Sequence, residues 1–185
     1  MYLWECDSLK HVDISCKGLR QLLLHNCLET MENSLNTPSL EIFEFSGYLK
    51  AQIHFVEAPS NLINSIIRVW ETIWPIEYYS AMRDFLESFD YSRKVKIHIE
   101  EAEGVIIPEH CRMEWSPPLP SIRQLQLYFS APLGDTEYCL RPSLLWMAPS
   151  AEVLPFLHND DDSDDYEDMV DRNNNDHNDY EDDDD

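Results

Sequence analysis

Residues 19–27 read Leu19-Arg20-Gln21-Leu22-Leu23-Leu24-His25-Asn26-Cys27, placing Leu19, Leu22, Leu24 and Cys27 in the spacing L-x-x-L-x-L-x-x-C. Partial copies of the frame recur at Leu9-Val12-Ile14, Leu40-Phe43-Phe45 and Ile122-Leu125-Leu127. Within each copy apolar and polar residues alternate, the period of a strand with one buried face. A strand unit that recurs at an interval cannot bury its apolar side alone, so copies must stack on one another. Leu9 and Leu19 are ten residues apart, and Leu19 and Leu40 twenty-one. The spacing predicts a coil of about twenty-one residues with two short extended segments on opposite sides.

Further along, Gln52 to Val56 and Ser65 to Ile73 read as extended stretches separated by the turn Ala58-Pro59-Ser60-Asn61. After Pro75 the period changes. Ile76, Tyr79, Met82, Phe85, Leu86 and Phe89 recur at steps of three and four, predicting one amphipathic helix near 76–89 with that stripe in the core. Alternation returns at Lys94 to Ile99 and at Ile122 to Phe129, and the apolar segment 140–158 is suited to cover the last hydrophobic layer. The predicted fold class is therefore α/β. It is a leucine-rich-repeat-like solenoid over residues 1–158, strand-rich with few helices, followed by a disordered acidic C-terminal tail over 159–185.

Charge separates those two parts. Residues 159–185 hold fifteen Asp or Glu against Arg172, a net of −14 of the chain's −23, so the first 158 residues carry −9. Phosphate backbones demand clustered Lys and Arg, and the nearest approach, Arg93-Lys94-Val95-Lys96, is short, so nucleic acid is not the expected partner. No apolar run reaches the length of a membrane span, and Met1 to Asp7 lacks the basic start and apolar core of a signal peptide. The five cysteines have no C-x-x-C pair, which favours a reducing compartment, cytoplasmic or nuclear. Cys6, Cys16 and Cys27 are expected as small thiols packed at successive turns.

Chemistry has little to work with. His11, His25, His54 and His98 fall in four separate strand-like segments, without H-x-x-x-H or H-E-x-x-H spacing. The four glycines are scattered, which excludes a phosphate-cradling loop, and no G-x-S-x-G turn occurs. Asp160, Asp162 and Asp164 open like a calcium loop, but Asp165 stands where the sharp turn needs Gly and Asp171 where a bidentate Glu belongs. No catalytic residue, cofactor or metal is expected, and the chain does not read as an enzyme. Residues alternating with the buried ones should instead form a partner-binding face: His11, Asp13, Gln21, Leu23, His25, Ile42, Glu44, Gln124, Gln126 and Tyr128.

The order of several stretches resembles plant F-box/leucine-rich-repeat proteins. They are CDSLKHVDIS, CKGLRQLLLHNC, TPSLEIFEFSGYL, EAPSNL, SRKVKIHIE, EGVIIPEHCR, PPLPSIRQLQL and SLLWMAPSAEVL, together spanning about residues 1–157. The resemblance implies repeats that recruit a protein for ubiquitination, while an N-terminal F-box binds a Skp-type adaptor. This sequence opens at Met1 inside a repeat, so the resemblance carries over protein recognition and not adaptor binding. The alternative expectation is a protein whose acidic tail binds or chaperones basic partners.

Overall fold

The computed structural model describes residues 1–6, 10–27, 32–49, 52–133, 136–153 and 157–158; Leu9 of the first predicted frame, the calcium-like Asp160–Asp164 run and the rest of the acidic tail lie outside them. Strands alternate between two layers along the first half of the chain. β1 (Tyr2–Trp4), β3 (Gln21–His25), β5 (Ile42–Gly47) and β7 (Asn64–Val69) enter one sheet. The intervening β2 (His11–Ser15), β4 (Glu32–Asn36) and β6 (Gln52–Phe55) form a second, three-stranded sheet. The main sheet continues through β8 (Lys94–Ile99) and β9 (Gln124–Phe129). β10 (Glu152–Val153) and β11 (Leu157–His158) then pair with the beginning and the end of β9. Every pairing is parallel. The result is a mixed α/β fold dominated by parallel sheet, with few helices among the described residues.

The register shows what repeats. Leu22, Phe43, Ser65, Val95 and Leu125 lie side by side, and Leu3, Leu24, Phe45, Ile67, Ile97 and Leu127 form the next row. Successive members of the first row are separated by 21, 22, 30 and 30 residues. The two shorter circuits return through β4 and β6, whereas the longer ones return through α1 (Ile76–Glu87) and α2 (Glu109–Glu114). A strand advances about 3.3 Å per residue and a helix about 1.5 Å, so a helical return across the same width consumes about twice the residues. The twelve-residue α1 lengthens the first of these circuits, while in the second α2 has six residues and follows a 3-10 turn at Ala102–Val105.

Two members of the series escape a leucine-based reading because serine replaces the apolar residue. Ser65 stands in the row of Leu22 and Phe43, and Ser92 precedes Val95 as Leu40 precedes Phe43. Both are buried, and their hydroxyls hydrogen-bond each other at 2.6 Å, so neither is left unsatisfied in the core.

The core lies between the main sheet and the returning elements. Phe43 and Phe45 project from β5, where Phe45 packs on Phe85 of α1 with ring centroids 4.8 Å apart. Phe89, just beyond α1, reaches Phe43, Phe55 and Phe85 and so joins both sheets to the helix. The Ser88 hydroxyl donates to the Ile53 carbonyl at 2.8 Å, tying the end of α1 to β6, the edge of the second sheet. The predicted stripe 76–89 is right except at its first residue. Ile76 is 43% exposed and Tyr78 takes its place in the core, where burial raises the Tyr78 hydroxyl far above its ordinary range.

α3 (Glu137–Met147) overlaps the first part of the segment 140–158 expected to cover the last layer and buries Leu140, Leu144 and Met147, while β10 and β11 in the same segment pair with β9. Its Ser143 hydroxyl accepts from the Ile107 amide at 2.9 Å, fixing the helix to the turn that leads into α2. Cys16 departs from expectation: it is exposed, because β2 ends in a surface turn, while Cys27 is buried and Cys6 intermediate.

Gly104 marks a close approach. A Cβ there would stand 2.3 Å from Ile99 Cδ1 and 2.8 Å from Trp74 Nε1. Gly104→Ala is therefore expected to destabilise the protein by about 1–3 kcal/mol, read as a lower denaturant midpoint. A midpoint equal to that of the native chain would mean that the turn is not packed as described.

Candidate functional site

The main sheet buries one face against the second layer and leaves the other without a covering element among the described residues. Alternation decides which side chains reach it. One row across the strands reads Trp4, His25, Ser46, Arg68, His98 and Tyr128. The next reads Tyr2, Leu23, Glu44, Ile66, Lys96 and Gln126. A third holds Gln21, Ile42, Asn64, Lys94, Gln124 and Glu152. With strands about 4.8 Å apart, each row of six spans about 24 Å.

Three regions differ in chemistry. At the β1 end, Tyr2 and Trp4 are about half exposed and stack, with centroids 5.6 Å apart, while Trp4 lies over the His25 ring at 5.3 Å and 14°. In the middle, His25 Nε2 stands 3.2 Å from Glu44 Oε1, and Arg68 donates to the same oxygen. Burial alone would raise the Glu44 carboxyl. The His25 hydrogen bond and the Arg68 charge outweigh it and hold the group below the usual carboxylate range.

Toward the β9 end the face turns basic. Arg68, Lys94 and Lys96 project from β7 and β8, and the strands β7, β8 and β9 contain no Asp or Glu. His98 stacks on Tyr128 with centroids 4.2 Å apart and rings 8° from parallel. Its burial, together with the charges of Arg68 and Lys96, lowers its pKa to about 4, so it is a neutral ring at pH 7. Beyond the strand ends, Arg68, Trp70, His98 and Tyr128 help line a shallow hollow of about 190 Å³.

The residues expected on one binding face divide between two. Gln21, Leu23, His25, Ile42, Glu44, Gln124, Gln126 and Tyr128 do share the open face of the main sheet. His11 and Asp13 do not. They lie on β2 in the second sheet, beside Ser34, Gln52 and His54, because the chain crosses between layers before each new strand of the main sheet. Nor are the shared residues uniformly exposed. His25, Glu44 and Gln126 are buried; Trp4 stacks over the His25 ring, and Glu44 is flanked by His25 and Arg68.

Tyr2, Trp4, Arg68, Lys96 and His98 belong to the face and were not among the expected residues. The signal for the last three was their offset: Arg68 follows Ile67 and His98 follows Ile97 as His25 follows Leu24, and Lys96 precedes Ile97 as Leu23 precedes Leu24.

Among the described residues no group of three or more His, Cys, Asp or Glu is arranged to hold a metal ion, and no helix is long and apolar enough to cross a membrane. Comparison with protein-family models, curated proteins and solved structures gave no match.

Proposed function

We propose that the chain is a protein-recognition module, a leucine-rich-repeat-like solenoid similar to the substrate-binding repeats of plant F-box proteins, which binds its partner on the open face of the main sheet. The support for a solenoid is the series of aligned frames at intervals of 21, 22, 30 and 30 residues, each followed by a return through a second layer. The support for recognition is the composition of the open rows. Aromatic and apolar contacts at Tyr2, Trp4, Leu23 and Ile42 give way to Lys94 and Lys96, a pairing of anchor and charge that suits a protein partner with an acidic segment. The module acts by binding and not by catalysis. With an F-box supplied, it serves recruitment to a ubiquitin ligase.

The single observation that carries this reading is the continuous six-residue row from Trp4 to Tyr128, over which no described element lies. Affinity capture with the full chain, a Trp4→Ala/Lys96→Glu double variant and a His11→Ala/Asp13→Ala double variant tests it. The expected result is a protein whose recovery falls at least tenfold with the first variant and is unchanged with the second. Equal recovery with all three sinks the reading. Loss only on replacing the acids of 159–185 by Asn or Gln would transfer the binding role to that segment.

A further inference from the structure

Cys6 and Cys27 occupy equivalent places on neighbouring strands. Trp4 pairs with His25 in the β1–β3 register, and the residue after each, Glu5 and Asn26, adopts the same left-handed backbone with φ of 47°. The chain therefore turns alike at the ends of both strands and delivers Cys6 and Cys27 side by side. The two sulfurs also make matching contacts: Cys6 Sγ donates to the Trp4 carbonyl at 3.4 Å, and Cys27 Sγ to the His25 carbonyl at 3.3 Å. Cys27 Sγ additionally reaches across to the Leu3 carbonyl of β1 at 3.5 Å. Cys27 belongs to the core, and Cys6 packs against that core from a partly exposed position.

We propose that Cys6 and Cys27 are a disulfide-forming pair, a redox modification site that fastens β1 to the main sheet. Neighbouring parallel strands set equivalent Cα atoms about 4.8 Å apart, inside the span of about 4.4–6.8 Å that a disulfide bridges without moving backbone. The oxidant is a low-molecular-weight disulfide such as oxidised glutathione. The more accessible Cys6 attacks as thiolate, breaking the glutathione S–S bond, forming a mixed disulfide and releasing one glutathione thiolate that takes up a proton. Cys27 then loses its proton to solvent and attacks the Cys6 sulfur, expelling the second glutathione. The protein gives up two electrons and two protons, and oxidised glutathione gains both. Burial, the largest influence on Cys27, raises its thiol above the ordinary range, in keeping with Cys6 as the attacking group and Cys27 as the resolving one.

The bond has a consequence for the open face. β1 is the edge strand of the main sheet, three residues long, and it carries the exposed Tyr2 and Trp4 that stack beside His25. Short edge strands open locally at small cost. A covalent link two residues beyond Trp4 holds that aromatic end in place.

Titrating the full chain with oxidised glutathione, followed by trypsin digestion without reduction and mass spectrometry, tests the pair. The expected product joins the peptides Met1–Lys10 and Gln21–Lys50, exceeding the glutathione adduct of Cys6 by about tenfold or more. In Cys27→Ser, Cys6 is expected to stop at the glutathione adduct. Amide exchange over residues 1–6 is expected to slow about tenfold in the oxidised chain and to recover with dithiothreitol. A Cys6–glutathione adduct with Cys27 unchanged, or a Cys6–Cys16 link, overturns the assignment. A Cys6–Cys27 link with unaltered exchange overturns the fastening of β1.

Discussion

Phe89→Ala is expected to cost about 3–5 kcal/mol, the range for removing a fully enclosed aromatic ring from a core. Phe89 has no exposed surface, and its ring lies 4.9 Å from Phe43, 5.9 Å from Phe55 and 5.3 Å from Phe85 between centroids. Those partners come from β5, β6 and α1, so one side chain closes the place where strand returns give way to helical ones. Relaxation into the void would require both sheets and the helix to move together, which keeps the cavity open and the cost near the upper part of the range. Against a typical stability of about 5–15 kcal/mol, that is a large fraction. Urea denaturation of the full chain measures it, with Tyr138→Ala as the control, since Tyr138 is 88% exposed and its loss should change stability by about 0.5 kcal/mol or less. A Phe89→Ala cost below about 1 kcal/mol would mean that α1 is not seated against both sheets.

The frame around Leu19 made the strands legible wherever leucine, isoleucine or phenylalanine held its positions. It made β2, β3, β5 and β9 plain, and alternation alone revealed β6 and β8. β4 was hidden because its sequence, Glu32-Asn33-Ser34-Leu35-Asn36, has one large apolar residue; buried Asn33 replaces a second by donating to the Gln52 carbonyl at 3.2 Å. A polar side chain enclosed by the fold leaves no hydropathy signal. β7 was set too long for the opposite reason. Trp70 and Ile73 look like strand residues, yet they are 41% and 77% exposed beyond the end of β7 at Val69. α3 is not legible as a helix because Pro142, a residue that disfavours a helix interior, stands within it.

The site was legible one strand at a time and not as an assembly. Alternation sorted Leu23, His25 and Glu44 to the outer side, but which strand stands beside which is a property of pairing. Equal treatment of every strand put His11 and Asp13 beside Gln21, whereas the 21-residue circuit contains two strands that belong to different sheets. The buried Glu44 shows the same limit. Nothing local to Phe43-Glu44-Phe45 marks it as paired, since His25 and Arg68 arrive from 19 residues before and 24 after.

The open face also sets how the protein should respond to acid, in an upper and a lower window. His98 has an ordinary pKa near 6.5 when unfolded and about 4 in the fold, so between those values the unfolded chain takes up a proton that the folded chain refuses. Stability therefore falls as pH drops from about 6.5 toward 4, with a slope of about 1.4 kcal/mol per pH unit at most and a total of about 3 kcal/mol at most. Glu44 works in the lower window. Its folded pKa is depressed, so its stabilising contribution is complete above the unfolded carboxylate value near 4.3 and is lost as pH falls through the folded one. His98→Phe retains a flat ring to stack on Tyr128 and removes the titration, and it is expected to flatten the decline between pH 6.5 and 4 while leaving the steeper loss below. Arg68→Met should flatten the loss in the lower window and lower stability at pH 7, because Glu44 then keeps only His25 as its partner in a buried site and its carboxyl rises toward the ordinary range; it should also shrink the upper window, since the Arg68 charge helps to lower His98. Denaturant midpoints for the full chain and both variants from pH 3 to 8 distinguish the windows. An unchanged decline above pH 4 in His98→Phe would show that His98 titrates as an open, solvated ring and that the basic end of the face is looser than its stacking implies.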